Sequence, residues 1–262
     1  SSHNGMVFVR GHPEDFNRWA TFGLKKWGYS NVLPYFKKLE TWSGEENIYR
    51  GKKGPLKVNK SKINLKFPLF QKVLDAAKEA GFEIYEDVNG YKQEGFGPFD
   101  VTINEGIRYG AGKAYLDKVK NNKNLEIYTN TNVIKILFKN KTAIGIEVLE
   151  SNKKVTYYAN KEIILSAGSI NSPKILQLSG IGNANDLKKH NIDIIHDLPG
   201  VGENLQDHLE IYIQYKSKKK ETLYNLSTNY FLQAIEGLKW FLLKDGLLSH
   251  SHLELGGFVK TN

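Results

Sequence analysis

Residues 162–166, Glu162-Ile163-Ile164-Leu165-Ser166, form an apolar, β-branched stretch that runs directly into Ala167-Gly168-Ser169-Ile170-Asn171-Ser172-Pro173. A helical apolar pattern follows and stops at Gly180 and Gly182. A strand, a turn of small residues and a helix start in immediate succession are how α/β proteins bring backbone close to a bound cofactor. Ser166, Ala167 and Gly168 carry no bulk, and Gly168 can take positive φ. Ser172 is a favourable N-cap and Pro173 suits a first helical position, so the helix is expected to begin there. Ile175, Leu176 and Leu178 supply its apolar face. By itself the corner fits an ordinary strand-turn-helix junction without a ligand equally well.

The rest of the chain bounds the possibilities. Its 262 residues allow one large domain or two smaller ones. No apolar run reaches the roughly 18 residues of a membrane span. The net charge of +9 comes mostly from lysines scattered through turns, and Lys218-Lys219-Lys220 reads as a solvated face. A nucleic-acid binder would interleave lysines with aromatics on one face, and no such pattern is found. Cysteine is absent, which excludes disulfides, thiolate metal sites and a cysteine nucleophile. The opening residues are polar and uncharged, unlike a signal peptide, and without an initial Met the natural N-terminus is expected upstream. Glycosylation triplets at Asn59, Asn140 and Asn225 hint at secretion only weakly in so asparagine-rich a chain, and the compartment stays open.

Apolar spacing predicts helices over 13–22, 31–40, 67–80, 113–119, 184–189 and 230–243. Val, Ile and Thr content predicts strands over 125–129, 132–138, 143–149 and 155–158, with polar turns at hairpin spacing. Strands are also predicted over 162–166, 192–196 and 210–215, and residues 87–97 read as an irregular loop. The fold class is therefore mixed α/β (α+β), with an antiparallel β-meander placed ahead of the small-residue corner.

Taken in order and spacing, Gly168, Ser169, Asn171, Ser172, Pro173, Ser179, Gly180 and Gly182 resemble the second signature of the glucose-methanol-choline oxidoreductases. Residues 1–11 resemble the end of that family's first signature. Asp15-Phe16-Asn17-Arg18-Trp19, Gly54-Pro55-Leu56, Asp87-Val88-Asn89-Gly90 and the run from Gly200 to His208 are similar as well, most like the insect branch. The resemblance implies FAD as cofactor, an alcohol or sugar as small-molecule substrate, and oxygen or a quinone as electron acceptor. It implies that Asn4, Gly5, Met6 and Val7 lie along the flavin, that the Val133 backbone holds the adenine end, and that Ser166, Ala167 and Gly168 pass under the cofactor. In the choline-oxidising branch a His before this Asn is bonded to the flavin, which makes His3 a candidate for that bond. Asn204 and Asp207 match a loop beside the cofactor, and His208 reads as structural. His250 and His252 alternate as ligands on one strand face would, but no carboxylate or cysteine partner is recognised beside them, so no metal site is assigned.

Two parts of the family pattern are missing. No G-x-G-x-x-G turn for the FAD pyrophosphate occurs, and no C-terminal His pair supplies the base, so no catalytic residue is assigned. The expectation is a central fragment of a longer enzyme. Residues 1–206 would be part of its FAD-binding domain, with a lid-like helical and loop segment at about 11–112, and 207–262 would begin its substrate-binding domain. The isolated chain is then expected neither to hold FAD tightly nor to oxidise alcohols. Two other readings stay open: a flavin-bearing hydroxynitrile lyase of the same family, and a non-catalytic remnant serving as a binding module.

Overall fold

Valine, isoleucine and threonine alternating with charged residues build the meander. Strands Thr131–Lys139, Thr142–Glu150 and Lys153–Tyr158 pair antiparallel in sequence order, with Val133 opposite Val148 and Ile136 opposite Ile146. Both hairpins turn on two residues with positive φ, Asn140 with Lys141 and Ser151 with Asn152. That backbone matches the twist of the strands it joins, and Asn tolerates it best after Gly. The computed structural model to which these strands belong describes residues 4–61, 68–218 and 222–260. It divides into two compact units, Ser1–Leu125 with Tyr215–Asn262, and Glu126–Gln214. No helix among the described residues is long and apolar enough to cross a membrane.

In the unit that holds the meander, helix Gly168–Leu178 packs on the first strand. Ser179 ties the two together: its Oγ accepts from the Ile136 amide at 2.8 Å and donates to the Ile175 carbonyl at 2.5 Å. Ile136, Val148, Ile175 and Leu187 are buried. Helix Ala184–Lys189 is capped by Asn183, whose side chain accepts from the Asn185 and Asp186 amides. The expected strand 192–196 shrinks to His196–Asp197, parallel to Ile181–Gly182. The expected strands 125–129, 162–166 and 210–215 do not form. Ile164 is 78% exposed and Ile211 77%, so their apolar spacing is real but no neighbouring strand pairs with them among the described residues.

The other unit is organised by a sheet in the order Val7–Phe8, Asp100–Val101, Leu56–Lys60, Glu40–Trp42, antiparallel except for the last pair. Helices Pro13–Thr21 and Tyr29–Leu39 meet through the buried Phe16 ring, 5.6 Å from Phe36. His12 starts the first of them, accepting from the Glu14 amide while Asp15 accepts from the His12 amide. Helix Pro68–Glu79 buries Leu74 and Ala77; Phe67, where it was expected to start, lies outside the described residues. The stretch expected as an irregular loop contains a strand, Gly95–Pro98, paired antiparallel with Leu255–Phe258. The glycines explain it: a Cβ on Gly256 would stand 2.3 Å from the Phe99 ring, and one on Gly97 2.3 Å from the Tyr85 carbonyl. The expected helix at 113–119 appears as a π turn over Gly112–Leu116 followed by Asp117–Val119.

Beneath this sheet Arg50 is fully buried. Its Nε and Nη2 donate to the two Glu40 oxygens at 2.9 and 3.2 Å, and its Nη1 donates to Asp100 Oδ2 at 2.6 Å and to Asp87 Oδ1. The guanidinium lies 4.1 Å over the Trp42 ring, and the Trp42 indole donates to Asp100. Arg10 adds a second cation, 2.8 Å from Glu40. Removing a partner from a buried ion cluster leaves charge without compensation. Arg50→Met brings Glu40, Asp87 and Asp100 together with Arg10 alone to balance them, and is expected to cost about 3–5 kcal/mol of stability in urea denaturation. A loss below about 1 kcal/mol would mean that the carboxylates find other partners.

Burial pushes the Asp87 carboxyl above its ordinary value of 3.8, against the opposing pull of Arg50. The folded chain then takes up this proton before the unfolded chain does. Its contribution favours folding at low pH and is lost as pH rises through the raised value. Asp87→Asn keeps an acceptor for Arg50 and for the Asn89 amide. It is expected to remove this part of the stability decline from about pH 3.8 upward, measured as urea midpoints across pH for both proteins.

Candidate functional site

The residues expected to touch a cofactor fall in both units, and each group has its own geometry. Asn4 begins a tight turn: its Oδ1 accepts from the Met6 amide at 3.0 Å. Met6 adopts φ +67°, a left-handed conformation that side-chain-bearing residues avoid unless held. Thr102 holds it, donating its amide at 2.8 Å and its hydroxyl at 3.2 Å to the Met6 carbonyl. Arg108 reaches Asn4, its Nη1 donating at 2.7 Å to the backbone oxygen and at 3.2 Å to Oδ1. A Cβ on Gly5 would stand 2.9 Å from Leu253, so the chain closes against the turn from a third direction. Val7 continues into the sheet opposite Val101. His3 lies outside the described residues.

Thr102 and Arg108 flank a hairpin. Ile103–Asn104 pairs with Ile107–Arg108, and Glu105 and Gly106 both take positive φ between them. Gly106 has no alternative, since a Cβ there would sit 1.9 Å from the Lys244 carbonyl. Trp240, on helix Tyr230–Leu243, donates to the Gly106 carbonyl at 2.8 Å. The sequence reading missed this hairpin and both residues. Asn104-Glu105-Gly106 between two short β-branched stretches was the available signal.

In the other unit, Val133 lies in the meander opposite Val148. The corner at 166–168 departs from expectation. Helix Gly168–Leu178 starts five residues earlier than the proline suggested, with Ala167 at its N-cap and Pro173 inside. Ser172 caps nothing at its own position; its Oγ accepts from the Ala167 amide at 3.1 Å. Pro173 is the sixth residue of this helix, so it removes the bond an amide there would have sent to the Ser169 carbonyl. Gly168 has φ +89°, and nothing lies within 4 Å of where a Cβ would stand. The helix start carries no side-chain cap. Backbone open in this way beside a helix N-terminus fits close approach by a large anionic cofactor such as FAD.

Ser169, Pro173 and Gln177 also line a cavity of about 430 Å³ with Gly202, Asn204 and Gln206. Gln177 donates to the Val201 carbonyl at 3.2 Å, which fastens this loop to the helix. Asn204 takes φ +58°. Asp207 accepts from the amide of His208, and both are exposed.

His250 and His252 lie outside any strand, the first half-buried and the second exposed with φ +60°, so the alternation of a strand face does not apply to them. A carboxylate does stand near His250, contrary to expectation. Glu254, four residues further on, places Oε1 3.6 Å from His250 Nδ1. No cluster of three metal-ligating side chains occurs among the described residues.

Residues 1–210 match the family described as GMC oxidoreductase. The chain is 45% identical over 261 residues to the mitochondrial choline dehydrogenase of Homo sapiens, which it covers by 43% while matching along 100% of its own length. It is 44% identical over 264 residues to the oxygen-dependent choline dehydrogenase of Photobacterium profundum, covering 46% of that protein with 100% of its own length. An FAD-dependent oxidoreductase structure from Chaetomium thermophilum superposes with a TM-score of 0.87 at 31% identity, over 96% of this chain and 46% of that one. A formate oxidase structure from Aspergillus oryzae gives 0.88 at 26% identity, over 99% of this chain and 46% of that one. The chain thus spans less than half the length of these relatives. With the 4–6 turn, the meander and the corner at 166–168 all inside the matched stretch, the chain belongs to the GMC oxidoreductase family.

Proposed function

We propose that this chain forms part of the FAD site of an oxidoreductase acting on CH–OH groups, with choline or a similar primary alcohol as substrate. The observation that carries this reading is the 45% identity to a choline dehydrogenase along the full chain. The open backbone at Gly168 and the braced turn at Asn4, Gly5 and Met6 support it. This reading follows the choline dehydrogenases rather than the insect branch. When bound, FAD supplies the two-electron acceptor for hydride leaving the alcohol carbon.

The chain's own residues act by shape. Asn4, Gly5, Met6 and Val7 offer a fixed backbone edge to the flavin. Ser166, Ala167 and Gly168 let a second stretch of backbone come close without side chains intervening. Val133 contributes backbone from a strand whose partners hold it still. Residues 1–206 would serve the FAD side, with the segment at about 11–112 as a cover, and 207–262 would start the substrate side. Oxygen or a quinone would reoxidise the flavin. The base that takes the alcohol proton is not assigned to any of these residues.

In the full-length protein, anaerobic choline is expected to bleach the visible absorption band of bound flavin, and air or a quinone to restore it. Bound flavin that no primary alcohol or sugar bleaches would overturn the reading, and cyanohydrin cleavage without bleaching would favour a lyase. The 262-residue chain alone is expected to lose FAD on gel filtration, because it has no G-x-G-x-x-G turn for the pyrophosphate. Gly168→Ala adds the strain of a left-handed side-chain-bearing residue, about 1–2 kcal/mol, and places a methyl in the open space. It is expected to weaken FAD retention by the full-length protein about tenfold, followed by flavin fluorescence on dilution.

A further inference from the structure

We propose that Arg108 is a positioning residue for the flavin, acting through the turn at residues 4–6; the inference rests on the function proposed above. Its guanidinium does two things there. It holds the backbone: one Nη1 group donates to both the Asn4 carbonyl at 2.7 Å and Asn4 Oδ1 at 3.2 Å. It also fixes which way the Asn4 amide faces. Oδ1 accepts from both Arg108 and the Met6 amide, so it is the acceptor end that is turned toward these two partners. The Asn4 Nδ2 donors are then the end turned away from Arg108 and the Met6 amide.

That orientation has a chemical use. Oxidised flavin presents acceptors at N5 and at the C4 carbonyl, and an amide turned the other way would offer them an acceptor instead. A left-handed Met6 costs about 1–2 kcal/mol and persists only where its surroundings over-determine it. Here Thr102 holds the carbonyl side of Met6, Asn4 holds its amide, and Arg108 holds Asn4. The hairpin that carries Thr102 and Arg108 is seated by Trp240 on the Gly106 carbonyl. Such bracing, drawn from residues 96 and 104 positions away along the chain, is more than a surface turn needs.

The test uses Arg108→Met, Arg108→Lys and Asn4→Asp in the full-length protein. Hydrogen–deuterium exchange of a peptide covering residues 4–8, measured without FAD, reads the turn itself, and the Thr142–Glu150 strand serves as the folding control. Arg108→Met is expected to speed exchange in the turn at least tenfold while the control stays unchanged, with Arg108→Lys between it and the wild type. Asn4→Asp keeps both acceptors for Met6 and Arg108, so turn exchange is expected to stay slow. With FAD bound, Arg108→Met and Asn4→Asp are both expected to move the flavin midpoint potential negative and to lower kcat more than KM changes. Unchanged exchange in Arg108→Met would show that Arg108 does not hold the turn. Faster exchange with wild-type potential and kcat would show that the turn does not serve the flavin. Wild-type protein that binds no flavin would overturn the proposed function, and this inference with it, while the exchange result would still report on the turn.

Discussion

A guanidinium with no access to water organises the larger sheet. Arg50 gathers Glu40 from one strand, Asp100 from another and Asp87 from the loop between the helix and the sheet, and it stacks on Trp42. Only arginine can do this, since its planar fork serves several carboxylates at once and keeps its charge when buried. Arg10, just beyond the Val7–Phe8 strand, joins the cluster through Glu40, and its amide donates to Asn89 Oδ1. The Asn89 amide in turn donates to the Phe8 carbonyl and to Asp100. Five segments of chain are thus bound to one another by charge and hydrogen bonds rather than by apolar packing. Three carboxylates face two guanidiniums, and Arg10 Nε and Asp87 Oδ2 are buried without a hydrogen-bond partner. A cluster so incompletely satisfied is a weak source of net stability. Its consequence is geometric, because it determines where the Val7–Phe8 strand lies.

From that strand the geometry passes outward. Val7 is held opposite Val101, and the next residue on, Thr102, grips the Met6 carbonyl. The turn at 4–6 therefore inherits its position from the buried cluster on one side and from the Glu105–Gly106 hairpin on the other. Neither support is local. The turn's own contribution is the Asn4 side chain folded back on the Met6 amide, a motif that Asn forms readily but that alone does not hold a left-handed methionine.

Legibility followed the physics of each element. Helix Tyr230–Leu243 and helix Ala184–Lys189 were readable to the residue, and the meander nearly so, because apolar period and Asn-rich turns are local properties. The strands at 125–129, 162–166 and 210–215 were misread for a common reason. Apolar alternation shows that residues suit a sheet, but a strand exists only where another strand completes its hydrogen bonds. Strands of two residues such as Val7–Phe8 have no period to detect. The helix start at Gly168 was displaced because Ser172 and Pro173 resemble a cap in sequence, whereas in space Ser172 serves the Ala167 amide. Arg50 and Arg108 are two of only four arginines among 37 basic residues, but their type alone does not say which groups they bind. What sets them apart is burial in one case and a long-range partner in the other.

Large apolar side chains are exposed along much of the chain, and two stretches concentrate them. Leu209, Ile211 and Ile213 alternate along an unpaired stretch and are each at least 72% exposed. Helix Tyr230–Leu243 buries none of its residues, although Phe231, Leu238, Phe241 and Leu242 line it. The relatives that this chain matches are more than twice as long as the part it covers. Helix Tyr230–Leu243 is nonetheless engaged where it meets the hairpin, through Trp240 and the close approach of the Lys244 carbonyl to Gly106. An element with little apolar burial of its own is therefore what seats the hairpin bearing Arg108, and covering that helix would stiffen the support on which the 4–6 turn rests.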